Sequence, residues 1–335
     1  MTTALALPLH DAALAERLTG RLRLVEELLR DAVTYADPIA HDASRHLVDA
    51  GGKRLRPLLT LLTAELGDGE RREVVDAAAV VELTHLATLY HDDVMDSAPL
   101  RRGAPSAHEV WGNSVAILTG DLLFARASSI VSGLGPEAVR IQAQTFERLC
   151  LGQLRETVGP RPDEDPVAHY LQVLSDKTAS LIATSARFGA MFAGCGPDVV
   201  RTVTQFGETV GVAFQLADDV IDLTSDGTVT GKTPGTDLRE RVPTMPALLL
   251  RARAADAPVG STDRDVLELL DADLTDDADL AEAVAALREH EVVAVTRRRA
   301  VDLARQAVTE LAPLPAGAAK DAMVAFADAL VDRAS

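Results

Sequence analysis

Apolar side chains recur at helical spacing along almost the whole chain, and short polar or Gly/Pro stretches separate the periodic runs. Leu14–Val33 mixes apolar positions with Arg and Glu, the pattern of a surface or interface helix. A second helix is expected from Pro38 to Ala50, stopped by Gly51-Gly52. Pro57 suits the first turn of a third, which Gly67 can end. The stretch Val80–Asp96, VVELTHLATLYHDDVMD, is crowded with Val80, Val81, Leu83, Leu86, Ala87 and Leu89 and reads as a buried helix. Trp111-Gly112-Asn113, Gly135-Pro136, the loop GPRPDEDP and Gly196-Pro197 punctuate the helices that follow, the last of which runs over Asp198–Asp222. From Met245 onward, helices alternate with acidic loops around Ala255–Asp263 and Asp271–Asp279. No strand is expected, and the fold class is all-α.

Composition narrows the setting. The 335 residues are read as a single all-α domain, with residues 1–12 as a flexible tail. Hydrophobic residues make up 47% but aromatics only 3%, so any cavity must be lined by aliphatic side chains. A net charge of −18 argues against a nucleic-acid binder and against docking on anionic lipid. Two cysteines, Cys150 and Cys195, make no disulfide framework, and a reducing cytoplasm is the simpler setting. The first residues lack the features of a signal peptide, and no apolar run approaches the roughly 18 residues of a membrane span. A soluble, intracellular protein is expected.

The buried helix ends in three carboxylates. Asp92 and Asp96 share a helical face, while Asp93 points about 100° away. Like charges at that spacing repel, and carboxylates at a helix C-terminus oppose the dipole, so folding does not reward them. A solvated helix end is the bland reading. A second copy, Asp218, Asp219 and Asp222 in FQLADDVID, again closes an apolar helix. Two such helices facing each other across a cavity would hold a hard cation such as Mg²⁺, which takes carboxylates and bridges them to substrate phosphates. Neither cluster has the spacing of an EF-hand loop.

Cations accompany the carboxylates. Only four of the 33 basic residues are Lys, and Lys53, Lys177 and Lys232 each fall in a motif. GGKRLRP places Lys53, Arg54 and Arg56 in a tight turn beside a helix start, where phosphate or plain solvent is accommodated. His85 lies two turns before Asp92 on the same face, as a cavity residue or an ordinary core histidine. Arg101 and Arg102 follow Asp96 and either pair with Asp92–Asp96 or take a diphosphate. Lys177, on an apolar run, needs an anion in a cavity or a pair with Asp176. SDGTVTGKTPGTDLRERVPT, with Lys232 in its middle, reads as a mobile lid.

GGKRLRP, HDDVMD followed by RRG, DKT, and FQLADDVID followed by a GK loop occur together in the order found in the trans-isoprenyl (polyprenyl) diphosphate synthases, and the chain resembles that family over roughly Ala36 to Leu250. The resemblance implies an isoprenoid synthase-type helical bundle around a central cavity, usually a homodimer. It implies that Asp92, Asp96, Asp218 and Asp222 hold Mg²⁺, three ions per site, on an allylic diphosphate. Arg101, Lys177 and Lys232, with Thr178 and Gln215, would complete that site, and Lys177 would take part in catalysis. Lys53, Arg56, His85 and Arg102 would hold isopentenyl diphosphate. The implied reaction joins the two substrates and releases diphosphate. Val81, Thr84, Ala87 and Thr88 stripe the first carboxylate helix, and a bulky residue at the Ala87 position is a common floor for short products in the family. Its absence implies a medium or long all-trans product, of the kind used for a quinone side chain, with a short geranylgeranyl product as the alternative. A class I terpene cyclase has no need of GGKRLRP, and a non-catalytic synthase subunit usually loses one Asp cluster. One departure stands out: Val242 occupies the place of a lysine common in the family, with Arg241 beside it as a substitute.

Overall fold

In the computed structural model, which describes residues 11–224 and 234–331, the chain is almost wholly helical. In order the elements are α1 (Ala12–Ala32), α2 (Pro38–Asp49), α3 (Leu55–Ala64), α4 (Arg72–Met95), β1 (Leu100–Arg101), β2 (Ala104–Pro105), α5 (Ala107–Trp111), α6 (Asn113–Ser132), α7 (Pro136–Val158) and α8 (Pro166–Leu174). A π-helical turn over Ser175–Ala179 leads into α9 (Ser180–Phe192) and α10 (Pro197–Thr224). They are followed by α11 (Thr236–Arg239), α12 (Met245–Asp256), α13 (Thr262–Asp271), α14 (Asp277–Glu289), α15 (Glu291–Glu310) and α16 (Ala318–Val331). The all-α expectation holds, with one small exception at the β1–β2 hairpin.

Local chemistry sets the helix boundaries. Asp11 and Asp37 cap α1 and α2, each side chain accepting a backbone N–H at 2.9 Å. Pro38 and Pro166 stand in the first turns of α2 and α8. The hairpin follows from its turn: Arg102 (φ +55°) and Gly103 (φ +79°) are both left-handed, as a two-residue turn between antiparallel strands requires.

The chain divides into two compact units. The first comprises Met1–Leu149, Ser180–Gly207 and Glu310–Phe326. Its centre is α4, apolar on nearly every side and packed by α1, α3, α6 and α9. The α3–α9 approach needs Gly189, because a Cβ there would lie 2.0 Å from the Thr60 carbonyl oxygen. Close by, the Thr63 hydroxyl donates to the Ala186 carbonyl at 3.0 Å. Helix α6 corrects the expectation that no apolar run reaches membrane-span length: an 18-residue window within its 20 residues reaches a mean hydropathy of 1.4. Asp121 and Arg126 interrupt it, and one side packs on α4.

The second unit comprises Cys150–Ala179, Glu208–Thr309 and Ala327–Ser335. Tyr170 and Leu174 of α8, Leu216, Val220 and Leu223 of α10, and Met245 and Leu250 of α12 form its core with apolar residues of α13–α15. Arg288 Nε donates to the Leu223 carbonyl at 2.8 Å and places a cation at the C-terminal end of α10.

Candidate active site

The last turn of α4 stays helical through both outer carboxylates, since the Asp96 N–H donates to the Asp92 carbonyl at 2.8 Å. Asp92 and Asp96 therefore share a face, the first half-buried and the second exposed. Asp93 points inward and is fully buried. Its Oδ1 accepts Arg101 Nε at 2.6 Å and Nη2 at 2.5 Å, and its backbone carbonyl accepts the Ala98 N–H at 3.0 Å. Burial raises the Asp93 carboxyl above its usual range despite the opposing pull of Arg101. The middle carboxylate thus fastens the hairpin to the helix end. Of the three carboxylates in Asp92–Asp96, Arg101 pairs with Asp93.

Arg102, at the hairpin tip, donates to the carbonyls of Leu47, at 3.0 Å, and Gly51. Its guanidinium covers Gly52, where a Cβ would lie 2.8 Å from the guanidinium carbon. The GGKRLRP turn is therefore glycine for reasons of contact as well as backbone: Gly51 and Gly52 both have positive φ. Arg54, also left-handed at φ +48°, caps α3 and turns inward. Its Nε meets Glu26 at 2.6 Å, its Nη1 meets Glu82 at 2.7 Å, and its Nη2 donates to the Val48 carbonyl at 3.0 Å. This arginine holds the turn in place; the surface of the turn is left to Lys53, which is exposed.

Arg56, Arg102 and His85 gather where Arg54 and Arg101 are also felt. Burial lowers Arg56 to about 10, opposed by Glu82 and reinforced by Arg102. Arg102 is lowered by burial, with Arg54 and Arg101 adding to the effect. The His85 imidazole is pushed well below its ordinary value, first by burial and then by Arg56, Arg102, Arg101 and Arg54. Arg56 Nε is buried without a hydrogen-bond partner among the described residues. Carboxylates answer Arg54 and Arg101, while Arg102 donates to backbone carbonyls. Cations crowded this way suit an anion.

The depressed His85 pKa makes a pH prediction. On acidification the unfolded imidazole takes its proton first, at about pH 6.5. His85 thus contributes stability that is whole above that pH and is lost as pH falls towards the depressed folded value. His85→Gln should flatten the fall of unfolding free energy below about pH 6.5, measured by denaturant titration at several pH values. An unchanged slope would mean that His85 is not held neutral.

In the second unit, the π turn spreads its charged neighbours apart. Lys177 pairs with Glu156, and Asp176 pairs with Arg155 and accepts Gln172 Nε2 at 2.9 Å. Each of the two finds a partner on α7, in keeping with the divergence of adjacent side chains on a helix. Gly152 lets α7 pass close to this turn, since a Cβ there would lie 2.6 Å from the Lys177 nitrogen. Thr178 Oγ1 donates to Gln215 Oε1 at 3.3 Å, bringing these two expected site residues together.

On α10, Asp218 and Asp222 are half-buried and Asp219 is buried. Asp219 accepts the Tyr170 hydroxyl on both oxygens, at 2.9 and 2.8 Å, and the Met245 N–H at 3.0 Å. Burial pushes its pKa up to about 8. Both clusters therefore use their middle Asp as an internal anchor. Lys232 lies outside the described residues. Arg241 reaches the Ala272 carbonyl at 3.4 Å, and Val242 is half-buried.

Val81, Thr84 and Ala87 lie fully inside the first unit, whereas Thr88 is half-buried and donates to the His85 carbonyl at 2.8 Å. Sequence reasoning missed Glu26 and Glu82 as partners of Arg54, Glu156 as the partner of Lys177, and Tyr170. A Glu at position 82 within an otherwise apolar helix was the one available signal.

Among the described residues, no three His, Cys, Asp or Glu side chains gather as a ready metal cage. What the helix ends offer is oxygen-only carboxylate pairs with the middle Asp turned away. That donor set fits Mg²⁺, which takes one or two carboxylates and completes its shell with waters and substrate phosphates.

Comparison with known proteins agrees with this geometry. The Polyprenyl synthetase family model matches residues 37–287. A nonaprenyl diphosphate synthase of Mycobacterium tuberculosis is 44% identical over 334 residues, spanning 99% of this chain and 98% of the relative. A crystal structure of polyprenyl synthase from Caulobacter crescentus, complexed with calcium and isoprenyl diphosphate, superposes with a TM-score of 0.86 at 32% identity, covering 96% of this chain and 97% of that one. A decaprenyl diphosphate synthase from Rhodobacter capsulatus gives 0.85 at 32% identity, covering 96% and 99%. The chain belongs to the polyprenyl synthetase family.

Proposed function

We propose that the chain condenses isopentenyl diphosphate with an allylic diphosphate, repeatedly, to give a medium- or long-chain all-trans polyprenyl diphosphate. The observation that carries this reading is the Arg56–Arg102–His85 cluster, built into the same unit as the Asp92–Asp96 pair. Lys53, Arg56, His85 and Arg102 hold the diphosphate of isopentenyl diphosphate. Arg101, Lys177, Thr178, Gln215 and Lys232 hold that of the allylic substrate. Asp92, Asp96, Asp218 and Asp222 are the ligands of Mg²⁺, three ions per site. When bound, Mg²⁺ neutralises charge developing on the departing diphosphate. Arg101 and Lys177 add fixed positive charge at that group, which helps the allylic C–O bond ionise. The double bond of isopentenyl diphosphate, held beside the cation, attacks it. Loss of a proton from the adduct, to the released diphosphate, regenerates an allylic end for the next round. The aliphatic wall of α4 excludes water from the cation.

The growing tail descends α4 along Ala87, Thr84 and Val81, where no aromatic side chain stands in the stripe. Product length is seven to ten units by analogy with the family, in keeping with the nonaprenyl and decaprenyl synthases it resembles. The protein works as a single-domain, cytoplasmic homodimer, a reading supported by Ile117 and Leu118 of α6, apolar and exposed on the monomer.

Purified protein with Mg²⁺, labelled isopentenyl diphosphate and a set of allylic primers should yield elongated prenyl alcohols after dephosphorylation. No incorporation with any primer would end this reading. The two pockets separate in kinetics: Lys53→Ala and Arg56→Ala should raise the KM for isopentenyl diphosphate about tenfold or more, and that for the primer far less. Lys232→Ala should do the reverse. Equal effects on both substrates would mean the pockets are wrongly assigned.

A further inference from the structure

The α4 stripe is not bordered by hydrocarbon alone. Gln142, on α7, is 4% exposed, and its Nε2 donates to Thr84 Oγ1 at 3.4 Å. That bond is long for an amide donor. Thr84 sends its own hydroxyl proton to the Val80 carbonyl at 2.8 Å, so it accepts from Gln142. Gln142 Oε1 is buried with no hydrogen-bond partner among the described residues. An orphaned buried acceptor is destabilising, a cost that an apolar side chain of similar volume would not carry.

Thr145, one turn further along α7, provides the contrast. Its hydroxyl bonds the Ile141 carbonyl at 2.9 Å and the Thr184 hydroxyl at 2.7 Å, tying α7 to α9 with nothing left over. Thr145 is explained by packing. Gln142 is not.

Position supplies the rest. Ala87 lies five residues before Asp92 and Thr84 eight, about 7.5 Å and about 12 Å down the helix. A tail that has passed Ala87 meets the Gln142 amide next. The side chain is held by one long bond, and three rotatable torsions let it swing aside at small cost. Hydrocarbon laid against the amide leaves its polar atoms unsolvated, so each extension beyond this level is resisted without being blocked.

We propose that Gln142 is a product-length determinant, a soft polar gate across the tail path at the level of Thr84. The proposal rests on the reading that the tail follows this face of α4. The test compares wild type, Gln142→Ala, Gln142→Phe and Ala87→Phe on one primer. It reads both the rate of the first condensation and the chromatographic distribution of product lengths. Gln142→Ala should shift the distribution longer by a unit or more, and Gln142→Phe shorter. First-condensation rates of both should stay within about threefold of wild type, because the gate lies beyond the first added unit. If Gln142→Ala fails to fold, Gln142→Leu, which keeps the bulk and removes the amide, should still shift products longer. Unchanged distributions in the Gln142 variants, with shorter products from Ala87→Phe, would overturn the gate and leave the tail path standing. Unchanged distributions in all of them would remove the tail from this face and the gate with it.

Discussion

Asp92→Ala and Asp218→Ala should each lower turnover by about a thousandfold or more while leaving the fold intact. Each removes a proposed metal ligand, so charge stabilisation at the moment of C–O ionisation is lost. Folding loses little, because each change relieves a like-charge i,i+4 pair at a helix C-terminus. The middle residues give the opposite signature. Asp93→Asn breaks a buried pair with Arg101, and Asp219→Ala strands the Tyr170 hydroxyl and the Met245 N–H. Those variants should be destabilised by about 2–4 kcal/mol in denaturant unfolding, as removal of one partner of a buried polar contact usually is. Turnover and unfolding measured on all four variants separate ligand from anchor within each cluster. An Asp92 or Asp218 variant that keeps a tenth of wild-type activity at saturating Mg²⁺ does not lack a metal ligand.

The helices, their order and most of their ends were legible because they rest on short-range chemistry: apolar periodicity, Gly/Pro punctuation and Asp caps. The motifs were legible because their spacing is local too. Asp92 and Asp96 share a face for the same reason that any i,i+4 pair does. What could not be read was which partner each charge finds across the fold. Lys177 was expected to need an anion, and Glu156 supplies one from 21 residues upstream. Arg54 looked like a phosphate cation in a basic turn, yet Glu26 and Glu82, each 28 positions away, turn it into a strut. The hairpin escaped notice because LRRGAP has no run of β-branched residues. Its signal was the Arg-Gly pair at a turn needing two positive φ values.

Glu82→Gln should cost about 3–5 kcal/mol of stability and also weaken the isopentenyl diphosphate pocket. Glu82 is 2% exposed and pairs with Arg54, itself 5% exposed, at 2.7 Å. Removing one partner of a buried ion pair leaves an uncompensated charge, which accounts for the size of the loss. Glu26 remains on Arg54, so the lower half of that range is expected. The second effect follows from what Glu82 does beyond Arg54. It opposes the downward shift of Arg56 and, together with Glu26, that of Arg102. Without it, the two guanidiniums lose part of the nearby negative charge that favours their charged forms, and Arg54, left to Glu26 and the Val48 carbonyl, fixes the turn from which Lys53 and Arg56 project less firmly. KM for isopentenyl diphosphate should therefore rise several-fold more than KM for the allylic primer. A double-mutant cycle with Arg54→Met isolates the pair, and a coupling energy below about 0.5 kcal/mol would show that the strut carries no strain-bearing role. If Glu82→Gln raises both KM values equally, Glu82 acts on the fold as a whole and not on the anion pocket beside it.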